Sequence, residues 1–265
     1  MTFSSHTDRK ALLRYILFSL FLFAANPAFS QKQEQDRPAP IEPGQGATQA
    51  QKLVQEILQQ RPGEFPTNAT LKIRSAAGTE RSLPVRMDIT QTATNWTQVY
   101  RTLPGKSEIP ANGESLTIVH TYGKPSRYFL ATNGQTNATE LSGNQTMVPF
   151  AGSDFWVADL GLEFLHWPKQ RLVKKEMHYH KSCVMLESIN PAPTKSGYAR
   201  VDSWMTIEKP HNPVMAKAYD ATGKQIKVFT PEGIEKVEGT YKPSAIEMRN
   251  LKEKTRSLIE FDWGD

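Results

Sequence analysis

The stretch Val85-Arg86-Met87-Asp88-Ile89-Thr90 alternates apolar and polar side chains without a break. A period of two puts Val85, Met87 and Ile89 on one face of an extended chain and Arg86, Asp88 and Thr90 on the other, the signature of a half-buried β-strand. Just upstream, Leu71 and Ile73 alternate with Lys72 and Arg74 in the same way. Short apolar or alternating runs follow at 96–103, 115–122 and 126–132, punctuated by Pro104-Gly105, Asn112-Gly113 and Asn133-Gly134. Turn dipeptides between neighbouring strands predict an antiparallel meander. Strand signals resume at 172–179, 181–188, 198–208, 214–219, 225–230 and 254–263, with Ala221-Thr222-Gly223 turning between two of them. About ten strands without a βα alternation predict a mainly β fold with accessory helices, either one curved antiparallel sheet or an open barrel.

Two segments break the period of two. Over 47–60, Leu53, Val54, Ile57 and Leu58 recur at spacings of three and four among Gln and Glu, the stripe of an amphipathic helix that Pro62-Gly63 ends. From Ser153 to Trp167 the only Gly or Pro is Gly161; Ser153 and Asp154 suit an N-terminus and Pro168 is a stop, so a second helix is predicted. At 100° per residue, Trp156, Leu160, Phe164 and Trp167 would share one face, with Phe155, Leu162 and Leu165 near the opposite one. Such a helix is too apolar to lie with one side open to water. It is either core, or a lid that packs one face on the sheet and offers the other to an apolar ligand. Phe155, Trp156, Leu160, Phe164 and Trp167 are the candidate ligand-binding residues.

The ends set the compartment. Arg9, Lys10 and Arg14 precede an apolar run from Tyr15 to Ala25, and Ala28-Phe29-Ser30 offers small residues for cleavage, so residues 1–30 read as a secretory signal peptide. The run is about half of what spans a bilayer. Residues 31–46, rich in Gln, Pro, Glu and Gly, read as a flexible leader, and 47–265 as a single folded domain. The mature protein is expected to be soluble, because no Cys near the cut offers a lipid anchor. Cys183 is the only cysteine of the 265 residues, so no internal disulfide forms, and its apolar surroundings suggest a buried strand thiol.

The formal charge is +5, and part of it leaves with the signal peptide; the remaining Lys and Arg are dispersed, which argues against nucleic-acid binding. No nucleophile elbow, phosphate loop, dinucleotide fingerprint or His-Glu-x-x-His occurs, so no catalytic residue and no cofactor is assigned. His178-Tyr179-His180 on a strand would place two imidazoles on one face, but local spacing offers no third metal ligand and no metal is assigned.

The second half carries Phe150-Ala151-Gly152-Ser153-Asp154-Phe155, then Cys183-Val184-Met185-Leu186-Glu187-Ser188, then 198–204 and Tyr219-Asp220-Ala221-Thr222-Gly223-Lys224. In that order these motifs resemble the bacterial outer-membrane lipoprotein-sorting family, the LolA/LolB-like proteins, over roughly residues 70 to 263. The resemblance implies a half-open antiparallel β-barrel with a helical lid. Its apolar interior would shelter lipoprotein acyl chains or lipid in the periplasm of a Gram-negative-type bacterium, with inner- or outer-membrane sorting proteins as partners. The expected function is that of a non-enzymatic carrier. A structural or protein-interaction module of the envelope without a lipid ligand is the alternative.

Overall fold

The computed structural model describes residues 39–62, 66–104, 113–132, 137–237 and 239–264. The expected signal peptide, the expected leader up to residue 38, and the predicted turns at Gly105, Asn112 and Asn133-Gly134 lie outside these residues. Strand β1 (Ala39–Pro40) and helix α1 (Pro43–Leu58) come first. Then come β2 (Pro66–Arg74), β3 (Glu80–Gln91), β4 (Asn95–Thr102), β5 (Ser115–Thr121), β6 (Arg127–Ala131) and β7 (Thr139–Leu141). After a compact irregular segment follow β8 (Lys169–His178), β9 (Lys181–Ile189), β10 (Arg200–Thr206), β11 (Pro213–Tyr219) and β12 (Gln225–Glu232). The chain ends with β13 (Glu235–Val237), β14 (Thr240–Lys242), β15 (Ala245–Asn250) and β16 (Thr255–Asp262).

Fourteen strands form one sheet in the order β1-β8-β9-β10-β11-β12-β15-β16-β2-β3-β4-β5-β6-β7, and β13 and β14 form a separate hairpin. Every pairing is antiparallel, and among the described residues no pairing joins β7 back to β1, so the barrel stays open. One junction holds the two halves of the chain together: β16 pairs with β2 from Arg256↔Arg74 to Asp262↔Asn68. The alternation that predicted β3 holds, with Val85, Met87 and Ile89 buried and Arg86 and Thr90 exposed.

The concave face carries two apolar clusters. Leu71, Val85, Met87, Leu116, Ile118 and Ile259 form one on the β2–β6 side. Leu172, Leu186, Val201, Met205 and Ala216 form the other, under α1. A smaller cluster of Cys183, Trp204, Val214 and Met215 is separate from both, and β10 is buried along nearly its whole length. Cys183 is the buried strand thiol that was expected, its pKa raised by burial.

Three expectations are corrected. Helix α1 starts at Pro43, earlier than predicted, with proline in its first turn, and Ile41 N–H donates to the Val173 carbonyl, so residues 39–46 belong to the fold. Second, β15 was not predicted: its Glu247 and Met248 are both buried, with Glu247 held by Arg249 and Arg256, which hides the period of two. Third, the strand expected through His178-Tyr179-His180 turns there. Tyr179 and His180 both take positive φ (47° and 61°) and link β8 to β9 as a two-residue hairpin turn. His178 lies 3.3 Å from Glu176 and edge-on to Trp204, while His180 sits in the turn, so the two do not share a strand face.

Helix α1 docks on β8 through Ala50, Leu53 and Val54, and its Gly46 lies so close to the strand that a Cβ would overlap the Leu172 carbonyl oxygen. Gly46→Val should therefore destabilise the protein by about 1–3 kcal/mol through overpacking, read as a lower urea midpoint with an unchanged slope.

Candidate functional site

The segment between Pro149 and Pro168 covers the concave face, and it is not the long helix that its sequence predicts. Only Val157–Leu160 is α-helical, Glu163–His166 is a 3-10 turn, and Leu162 between them is left-handed with φ 50°. Tertiary contacts outweigh a helical propensity that is marginal at this length. Pro149 and Trp156 form a β-bridge, and Phe150 N–H donates to the Phe155 carbonyl at 2.8 Å. Asp154 does not cap a helix. Its carboxylate accepts from the hydroxyls of Thr255 at 2.5 Å and Ser257 at 2.8 Å on β16, and its N–H donates back to Ser257 Oγ. At Gly161 a Cβ would overlap the Tyr128 ring, and Tyr128 Oη–H donates to the Gly161 carbonyl at 3.3 Å. Ala151 is gripped on both sides: its N–H donates to Glu114 at 2.7 Å and its carbonyl accepts from Arg81 at 3.0 Å.

These anchors divide the five predicted residues. Phe155 and Leu160 join the cluster on the β2–β6 side, Phe155 with no exposed surface at all. Phe164 and Trp167 join the cluster beneath α1, and Trp156 is partly buried against it. Trp156 stacks on Tyr198 with ring centroids 4.5 Å apart.

Around Trp156 lies a buried polar network. Lys227, 2% exposed, donates to the Asp154 carbonyl at 2.6 Å, lies 3.5 Å from Asp159 Oδ2, and places its ammonium 3.5 Å from the Trp156 ring centroid. Burial pushes the Lys227 pKa down to about 8, against the pull of Asp159 and Asp154. Asp159 also accepts the Tyr198 hydroxyl at 2.9 Å and the Trp156 N–H at 2.7 Å. The ammonium is thus satisfied by a carbonyl, a carboxylate and a ring face in place of water.

Two openings flank the segment. A narrow apolar crevice of about 30 Å³ borders Leu162, Phe164, Val201, Ala216, Ala218 and Phe229, with Lys227 and Asp159 on its wall. A larger cavity of about 360 Å³ lies between α1, the β5–β6 turn and the 165–166 turn. Its apolar lining includes Val54, Leu58, Trp96 and Leu165, and its polar side has His120, Ser126, His166 and Gln170. Trp96 and His120 stack at 3.6 Å. Ser126 Oγ bridges the two imidazoles, 2.9 Å from His120 Nδ1 and 3.0 Å from His166 Nε2. Burial, and then the neighbouring His166, lowers the His120 pKa to about 3, and burial lowers that of His166 as well. Gln170 fixes the floor by donating to the carbonyls of Phe164 and Leu165.

Sequence reasoning missed Lys227, Tyr198, His120, Ser126 and His166 as a set. A buried lysine in an alternating strand reads as solvated, and residues gathered from β5, the β5–β6 turn and the 3-10 turn share no local spacing. Among the described residues no group of three or more His, Cys, Asp or Glu is placed to hold a metal ion.

Residues 115–263, more than half of the chain, match the model of a family described as "Uncharacterized protein"-like. The chain belongs to that family. No curated protein matches it in sequence. Solved structures give the fold. A DUF1329 family protein from Desulfovibrio piger superposes with a TM-score of 0.65 at 14% identity, covering 82% of this chain and 91% of that one. A Vibrio parahaemolyticus domain named for outer membrane lipoprotein sorting gives 0.63 at 16% identity, over 80% of this chain and 91% of its own. A LolA superfamily protein from Nitrosomonas europaea gives 0.54 at 16% identity, over 82% and 91%. The fold of this chain is therefore the open antiparallel barrel that these structures share, as the sequence motifs implied.

Two outcomes test this geometry. Ser257→Ala leaves the buried Asp154 short of a donor and should cost about 1–3 kcal/mol in chemical unfolding. For His120 the folded pKa lies below its ordinary 6.5, so the unfolded chain binds the proton more readily. Its contribution is complete above pH 6.5 and is lost as pH falls toward 3. Melting temperature should drop across that window, and His120→Gln, which keeps a partner for Ser126, should make the drop shallower.

Proposed function

We propose that the protein is a non-enzymatic carrier or binding protein for lipoprotein acyl chains or other apolar cargo, working in the periplasm after export and serving outer-membrane lipoprotein sorting. The observation that carries this reading is the cavity of about 360 Å³ beside the covering segment. Its size falls in the usual range of ligand pockets, about 300–1,000 Å³, and one side of its wall is a helix docked on the sheet by a short apolar stripe. An acyl chain costs about 0.8 kcal/mol per methylene to hold in water. A carrier needs an apolar hollow and a cover, and no reactive group. Among the described residues no helix is long and apolar enough to cross a membrane, which is compatible with a protein that diffuses between membranes. In this reading the cargo lies in the larger cavity, Phe164 borders the crevice beside it, and Phe155, Trp156, Leu160 and Trp167 hold the covering segment in place. Sorting proteins of the inner or outer membrane would load and unload it.

A second reading, a structural or protein-interaction module without a lipid ligand, is favoured by one observation. Phe150, Phe155 and Val157 have no exposed surface and Asp154 is tied to β16, so the first half of the segment is core.

Displacement of a fluorescent fatty acid separates the two. A carrier binds the probe and releases it to unlabelled fatty acid. Gln55→Trp, at an exposed α1 position on the cavity wall, should weaken that binding at least about tenfold while the melting temperature stays within a few degrees. Absence of probe binding by the wild type supports the module and overturns the carrier.

A further inference from the structure

The cavity beneath α1 has a charge bias that the carrier reading does not require. Its described lining includes Arg61 and Lys124 together with His120 and His166, and no aspartate or glutamate. The chain as a whole has 27 acidic residues against 32 basic ones, so an acid-free lining around an opening of this size departs from its average surface. Several surface cations elsewhere meet carboxylates: Lys72 with Glu260, Arg127 with Glu140, Arg171 with Glu187 and Arg101 with Asp88. Arg61 is different, since its guanidinium donates to the carbonyls of Thr92 and Ala93 at 3.0 and 2.9 Å, which fixes the group in place without neutralising it. Both Arg61 and Lys124 are exposed, whereas Val54 and Leu165 are buried. Beyond the cations lie N–H and O–H groups of Gln51, Gln55 and Ser126, among them donors for an oxyanion.

We propose that this cavity selects amphiphiles with an anionic head: the acyl chain lies along Val54, Leu165 and the Trp96 ring, and the head sits at the basic rim formed by Arg61 and Lys124. The inference rests on the carrier reading and narrows its cargo. A carboxylate of a free fatty acid and a phosphate of an acidic lipid share the recognised chemistry, a negative head on an apolar tail. The rim is open to water, so screened charge contacts there set the preference for the head while the tail sets the bulk of affinity.

Isothermal titration of the full mature chain with decyl sulfate, decanol and decyltrimethylammonium, each below its micelle concentration, tests the selectivity. The anion should bind at least about tenfold more tightly than the alcohol, and the cation more weakly than either. In the Arg61→Gln/Lys124→Gln double variant the anion should fall to the level of the alcohol, with decanol affinity unchanged as the control for folding and for the hollow itself. Laurate and lysophosphatidylglycerol as further ligands assign the head: tighter binding of the first points to fatty acids, of the second to phospholipid. Equal affinity for the three decyl probes, or an anion preference that survives the double variant, overturns the charge selection while leaving the carrier standing. Binding of none of them overturns both.

Discussion

An open sheet of this width has a concave apolar face that water would otherwise wet, and everything distinctive in this protein follows from how that face is filled. The filler is the segment from Pro149 to Pro168, and it is held by polar contacts more than by regular structure. Asp154 reaches across to Thr255 and Ser257, Ala151 is gripped by Glu114 and Arg81, and Asp159 ties Tyr198, Lys227 and the Trp156 backbone together. Asp154, Ser257 and Lys227 are buried and would be costly to bury without these partners. Because Asp154 bonds to β16, and β16 is the strand that joins the two meanders, the filler and the central seam of the sheet stabilise each other.

The filler does not complete the job. Its first half, around Phe155, closes the interior on the β2–β6 side, but its second half leaves a crevice beside Phe164 and a cavity that α1 only partly roofs. The open space therefore lies to the sides of the segment, at the junction with a helix attached through Ala50, Leu53, Val54 and the close contact of Gly46 with β8. A cover made of one amphipathic helix is easier to move than a filler locked by buried hydrogen bonds. That difference places the adaptable part of the proposed site on α1 and the β5–β6 turn.

Much of the sheet was legible in the sequence, because Val85, Met87 and Ile89 of β3, or Leu116 and Ile118 of β5, bury one face and show it as alternation. β15 was not legible, since its Glu247 is buried in an ion-pair cluster, and the apparent helix of 153–167 failed for a related reason. Its apolar residues do lie in the interior, but Asp154, Gly161 and Leu162 take conformations that distant partners dictate: Ser257, Tyr128 and the sheet below. Of the five residues expected to contact ligand, the sequence marked their burial and could not rank them. The His120–Ser126–His166 bridge and the basic rim draw on β5, the β5–β6 turn, the 3-10 turn and the loop after α1, a gathering that only topology brings about.

Hydrogen–deuterium exchange of the protein with and without a bound fatty acid reads the central claim most directly, because it locates the occupied hollow without altering the protein. The account predicts slower exchange over 51–59 and 120–126 on binding, with 150–155 already protected and unchanged. Protection confined to other regions, or none at saturating ligand, would contradict it.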